Sequence, residues 1–163
     1  MDVGIFIGSE SDFDIIQDAL AILKKFEIAF ALEVTSAHRS PERTLSLIRA
    51  FEEKGVEVFI AVAGKAAHLA GVVASHTVRP VIGVPVDSGG LGGLDALLST
   101  VQMPKGIPVA TMGTGKTGAA NAALLAVEIL AGKNPLLRAK LVDERKKLAA
   151  RVEADSQKVQ KNL

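Results

Sequence analysis

The chemistry in this chain is concentrated in a few short stretches. TSAHRSPER (35–43) places His38 and Arg39 side by side. Histidine exchanges protons near neutral pH, and the planar fork of arginine matches a phosphate, so an adjacent pair can hold a phosphorylated substrate and act on it. The competing reading is a surface pair without a role. AGKAAHLAG (63–71) supplies a second histidine, His68, at the start of a helix after a glycine turn, or else a helix-start residue bonded only locally. GSESD (8–12) runs from a glycine–serine turn into a helix, where free amides and the Ser9 and Ser11 hydroxyls suit a phosphate or sugar hydroxyls. Asp12 would repel a phosphate and fits a neutral ribose diol; alternatively Ser11 or Asp12 only caps the helix, worth about 1 kcal/mol. His76, without such company, reads as structural.

Two further loops are rich in glycine. PVDSGGLGGLD (85–95) carries four, which suggests close approach of the backbone to a ligand or a lid over 87–93. GTGKTG (113–118) contains G-x-G-x-x-G at Gly113, Gly115 and Gly118, and Gly115, Lys116 and Thr117 resemble the end of a phosphate loop. A dinucleotide fingerprint belongs on the first strand–helix turn, with an acidic residue about 20 positions later. Here it follows the last strand. The phosphate loop fails as well, because its first glycine would have to be Ala110. What survives is a turn opening a helix, with Lys116 and Asn121 within possible reach of a ligand. No metal-ligand spacing and no G-x-S-x-G nucleophile motif is present.

The elements that must position these loops are short apolar runs: Val3 to Ile7, Ile28 to Val34, Val56 to Ala61, Val81 to Val84 and Pro108 to Met112. Continuous apolarity suits parallel strands covered on both faces. Phe13, Ile16, Leu20 and Leu23 recur at helical spacing on a helix starting near Ser11, and Thr44 to Glu53, Ala66 to Ser75 and Gly118 to Leu130 are further helices. The alternation predicts a doubly wound α/β sandwich, whose ligands lie beyond the carboxyl ends of the strands. A terminal helix follows from Asn134 to Leu163, with Leu136, Leu137, Leu141, Leu148 and Val152 as an apolar stripe that packs on the body or on a partner subunit.

Bulk composition narrows the partners. The 163 residues, 48% hydrophobic, suffice for one globular unit. Nineteen basic against 18 acidic residues give a formal charge of +1, so no footprint for nucleic acid or an anionic membrane is expected. The absence of cysteine excludes disulfides and thiolate chemistry, and the chain opens without a basic leader; a cytoplasmic protein is expected. No apolar run reaches the roughly 20 residues of a membrane span.

VGIFIGSESD, SAHRSPER, AAHL, VIGVPV, LDALLSTVQMPKGIPVAT and GAANAALLA together resemble, over almost the whole chain, the 5-(carboxyamino)imidazole ribonucleotide mutase family of purine synthesis, also called the phosphoribosylaminoimidazole carboxylase catalytic subunit. SAHR and QMPKGIPVAT are the most specific of these matches. The resemblance implies a single catalytic domain over 1–163, with a core of about 1–133 and a helical extension from about 134. Its fold would be a three-layer αβα sandwich on a parallel, flavodoxin-like sheet with a C-terminal helix. It also implies that His38 is the general acid–base residue and that Ser9, Asp12 and Arg39 bind the ribose phosphate with Ser11 and Ser36 nearby. Gly64, Lys65, Ala66 and His68 would complete the substrate site. The family's reaction transfers a carboxylate: a carbamate loses carbon dioxide in a closed pocket and carbon 4 of the imidazole captures it. Neither a cofactor nor a metal is implied. An octamer is, together with a functional link to an ATP-dependent carboxyaminoimidazole ribonucleotide synthetase.

The family's glycine-glycine-alanine-alanine-histidine-leucine-proline-glycine run becomes GKAAHLAG here, with Lys65 for the second glycine and Ala70 for the proline. A basic residue there is similar to the class that carboxylates aminoimidazole ribonucleotide directly with carbon dioxide, while AAHL and VIGVPV are similar to the mutase class. Direct carboxylation, and a phosphoribosyl-ligand-binding module without catalysis, are the alternatives.

Overall fold

The computed structural model describes residues 1–163. Five parallel strands, β1 (Val3–Ile7), β2 (Phe30–Val34), β3 (Val58–Gly64), β4 (Val81–Val86) and β5 (Ala110–Thr111), form one sheet in the order β2-β1-β3-β4-β5. This is the doubly wound, flavodoxin-like order, with its direction reversing between β1 and β3. β1, β4 and most of β3 are buried throughout, which is why they read as unbroken apolar runs.

Alternating residues of β1 serve two cores. Val3, Ile5 and Ile7 face α1 (Gln17–Lys25), α5 (Gly115–Ala131) and the start of α6 (Pro135–Gln160). Ala119, Ala122, Ala123 and Ala126 line the buried side of α5, and side chains this small let the helix lie close on the sheet. Phe6 faces α2 (Pro41–Glu53) and α3 (Leu69–Ser75), where it stacks on Phe51 and Phe59 with ring centroids 5.2 and 5.6 Å away. Beside it, a Cβ on Gly4 would come within 2.6 Å of Phe51, so the glycine makes room for the aromatic stack.

Several boundaries depart from the sequence reading. The helix expected near Ser11 is a 3-10 helix, Glu10–Ile15, followed by α1 from Gln17; its cap is the Ser9 side chain, not Ser11 or Asp12. β2 begins at Phe30 because Ile28 N–H closes α1 on the Leu23 carbonyl and Ala29 N–H donates to the Asp2 carboxylate. β5 has two residues rather than five; Pro108, lacking an N–H, cannot donate to the ladder. α3 starts at Leu69, not Ala66. One helix was not anticipated: α4 (Leu94–Val101) buries Ala96 and Thr100 and turns Leu94, Leu98 and Val101 outward, so it lacks the polar face by which a surface helix is recognised.

α6 is capped by the Asn134 side chain accepting from Leu137 N–H. Of its apolar stripe only Leu137 and Leu141 are buried; Leu136, Leu148 and Val152 are exposed. No helix is long and apolar enough to cross a membrane.

Candidate active site

At the carboxyl ends of β1 to β4, beside the switch point, lies a pocket of about 760 Å³. It gathers Ser9, Ser11, Asp12, Ser36, His38, Arg39, Gly64, Lys65, Ala66 and His68, which come from three separate loops. Lys116 and Asn121 are not among its lining residues.

The loop after β2 is a rigid bracket. Ser40 N–H and the Ser40 hydroxyl both donate to the Ser36 carbonyl, and Ser36 N–H donates to Ser40 Oγ. Behind it the buried hydroxyls of Thr35 and Thr44 bond at 2.8 Å, tying the loop to α2, whose first residue is Pro41. Arg39 is held across the pocket floor: its Nη2 donates to the Gly8 carbonyl at 2.9 Å, and its backbone N–H donates to Ser36 Oγ at 3.1 Å. With Nη2 on the Gly8 carbonyl and Nε donating to Ser36 Oγ at 3.4 Å, the guanidinium meets neutral acceptors and keeps its charge available to a ligand.

His38, exposed on this bracket, meets His68 from the turn after β3. His38 Nε2 and His68 Nδ1 are 2.9 Å apart, with the rings nearly perpendicular at 79°. Such a bond needs one hydrogen between two nitrogens. One ring donates that hydrogen, and its outer nitrogen is then free to take up a proton without breaking the shared bond, so the pair is suited to accept and return one proton.

The loop after β1 contributes Ser11 Oγ donating to Ser9 Oγ at 2.9 Å, a pair of hydroxyls at the pocket edge. Asp12 is buried beneath them, only 6% exposed. Burial pushes its carboxyl above the usual aspartate range, while backbone hydrogen bonding at Ser9, the Arg39 charge and backbone hydrogen bonding at Gly8 pull the other way. The folded protein therefore holds the Asp12 proton more tightly than the unfolded chain. Stability from this group is lost as pH rises from about 3.9 through the raised value, and stays lost above it. Asp12→Asn is accordingly expected to raise the neutral-pH thermal midpoint by on the order of 2 °C, a gain that vanishes in acid, while weakening ligand binding at least about tenfold. Thermal melts across pH and a binding titration check both; a variant less stable at neutral pH than in acid, relative to wild type, contradicts the sign.

The turn after β3 is under backbone constraint. A Cβ on Gly64 would lie 1.9 Å from Ser88 Oγ and 3.0 Å from the Val86 carbonyl oxygen, so a side chain there requires the Ser88 hydroxyl to turn away and the strand end to give. Lys65 follows with φ +56, a left-handed conformation that L-residues adopt at a cost of about 1 kcal/mol or more.

Asp87 and Ser88 also line the pocket, and the sequence reading did not name them. The signal is their position directly after β4, where such folds place ligand residues, inside the loop expected to approach a ligand through its backbone or as a lid. Gly89, Gly90, Gly92 and Gly93 all have positive φ, so the turn itself requires them. Likewise Gly115 has φ +75, and a Cβ on Gly118 would overlap the Gly113 carbonyl oxygen. The G-x-G-x-x-G motif is the tight turn that opens α5.

Residues 2–151 match the family model described as AIR carboxylase. The chain is 52% identical to N5-carboxyaminoimidazole ribonucleotide mutase of Mycobacterium tuberculosis over 159 residues, covering 98% of this chain and 90% of the relative. It is 50% identical to the protein of the same name from Escherichia coli over 144 residues, covering 88% and 85%. The crystal structure of Treponema denticola PurE superposes with a TM-score of 0.87 at 28% identity, over 96% of each chain.

Proposed function

Because this chain belongs to the AIR carboxylase family, we propose that it is an N5-carboxyaminoimidazole ribonucleotide mutase of purine biosynthesis, an isomerase, with His38 as its general acid–base residue. The observation that carries this reading is the 2.9 Å His38–His68 pair facing the same pocket as Arg39 and the Ser9, Ser11 and Asp12 cluster. A proton-exchanging group and a phosphate- and diol-binding corner then act on one small molecule.

The chemistry balances within the pocket. The bond between N5 and the carbamate carbon breaks as a proton is delivered to N5, releasing carbon dioxide. Carbon 4 of the imidazole attacks that carbon dioxide, and its own proton then leaves to the base. His38 gives the first proton and takes the second, so the enzyme ends as it began. Carbon dioxide must be recaptured before it escapes, which requires exclusion of water and tight positioning. In this reading Arg39 and Ser36 hold the phosphate with Ser9 and Ser11, Asp12 takes ribose hydroxyls, and Gly64, Lys65, Ala66 and His68 surround the reacting carboxylate.

The whole of 1–163 acts as one catalytic unit, with 134–163 as an extension of the core. The protein works in the cytoplasm as a homo-octamer beside an ATP-dependent synthetase that supplies the carbamate. The assembly reading is supported by α4, whose Leu94, Leu98 and Val101 are each about half exposed on one helical stripe, and by the uncovered apolar residues of α6.

The test is a spectrophotometric assay with aminoimidazole ribonucleotide, comparing freshly formed carbamate with bicarbonate alone. Product formed fast only from the carbamate is expected. Efficient turnover of aminoimidazole ribonucleotide at low bicarbonate would assign direct carboxylation, a lyase reaction, instead. Binding without turnover in both arms would make the chain a ligand-binding module.

A further inference from the structure

We propose that Lys65 grips the carboxylate that is transferred, leaving Arg39 to the phosphate, so that substrate is recognised by two cations set apart across the pocket. The inference rests on the mutase reading, in which the substrate is anionic at both ends.

Arg39 and Lys65 are the only lysine or arginine residues lining the pocket. They stand on different loops with different company. Arg39 is fixed to the Gly8 carbonyl and Ser36, on the β1 and β2 side beside the Ser9–Ser11 hydroxyls. Lys65 leaves the end of β3, three residues before His68, which is itself bonded to His38. The histidine pair joins the two loops, His38 one residue before Arg39 and His68 three residues after Lys65; with the Arg39 guanidinium turned onto the Gly8 carbonyl, Lys65 is the cation left for the carboxylate whose transfer exchanges protons at that pair.

The backbone singles out the same residue. A side chain at Gly64 would have to displace the Ser88 hydroxyl. The turn therefore presents its charge from Lys65, in a left-handed conformation where glycine would be unstrained. Of the two acids lining the pocket, Asp87 accepts the Gly89 N–H at 2.9 Å and Asp12 is buried under the Arg39 charge, and no carboxylate lies within ion-pair distance of Lys65. An unpaired ammonium in a pocket that also needs an anion held has an evident occupant. It contacts the carboxylate in substrate and product alike but has little hold on neutral carbon dioxide between them. Its contribution belongs to binding more than to the chemical step.

The experiment measures the affinity of 4-carboxy-5-aminoimidazole ribonucleotide and of aminoimidazole ribonucleotide, which lacks the carboxylate, for wild type, Lys65→Gln, Lys65→Gly and Arg39→Ala. Lys65→Gln keeps the strained backbone without the charge, and Lys65→Gly relieves the strain, so a folding defect common to both is not expected. Both Lys65 variants should weaken the carboxylated ligand about 10- to 100-fold and leave the other within about twofold. KM should rise by more than kcat falls. Arg39→Ala should weaken both ligands alike. Equal weakening of both ligands by Lys65→Gln, or no weakening of either, overturns the assignment. Wild type that binds neither ligand overturns the mutase reading, and this assignment with it.

Discussion

His38→Asn is expected to lower kcat about 10³-fold while KM changes less than about threefold. Asparagine preserves a polar side chain at the tip of the bracket but cannot take up or release a proton near neutral pH. Because His38 is exposed and its bracket is held by Ser36, Ser40, Thr35 and Thr44, the fold should be unaffected. His68→Asn removes the ring that His38 meets. If His68 acts by orienting His38, its loss should cost about tenfold to a hundredfold in kcat and alter the pH–rate profile, since the proton on His38 then has no partner nitrogen. Steady-state kinetics over pH 5 to 9, with thermal melts of each variant, are the measurements. A His38→Asn enzyme with near wild-type kcat would remove His38 from the mechanism and leave His68 as the candidate.

The largest expected structural effect comes from the glycines of the last turn, and it is graded. A Cβ on Gly113 meets nothing within 4 Å, so Gly113→Ala should be tolerated within about 0.5 kcal/mol. Gly115→Ala forces an alanine to φ +75, costing about 1 kcal/mol or more. Gly118→Ala drives its Cβ into the Gly113 carbonyl, with the carbonyl carbon at 2.5 Å. These are backbone atoms of the same turn and cannot swing aside as a flexible side chain would. About 3 kcal/mol should be lost, lowering the thermal midpoint by roughly 6–12 °C for a chain of this size. Denaturant titration of the three variants checks the order. A phosphate-binding loop would behave otherwise: ATP or NAD would stabilise the wild type by mass action, and a side chain at Gly113 would interfere. Stabilisation by either nucleotide would return the motif to a binding role.

Much of this protein was legible along the chain. Strand and helix periodicity are local properties, so the β-α alternation, the parallel sheet and the loops at its carboxyl edge followed from runs such as Val3 to Ile7 and Val81 to Val84. The chemistry of His38 and Arg39 is carried by residue type and could be named before any fold. Other features are not local. His38 and His68 lie 30 residues apart, and their contact exists because β2 and β3 flank β1 and end at the same edge. Asp87 and Ser88 join the pocket because β4 lies beside β3. Gly64 and Ser88 constrain each other only after that pairing, and Gly118 is required to be glycine only once the chain has turned back over Gly113. α4 escaped recognition because its outward face is apolar, a pattern that water alone does not select. Periodicity records which side of each element is covered, whereas the order of strands in the sheet decides which loop ends converge, and convergence is what makes a site.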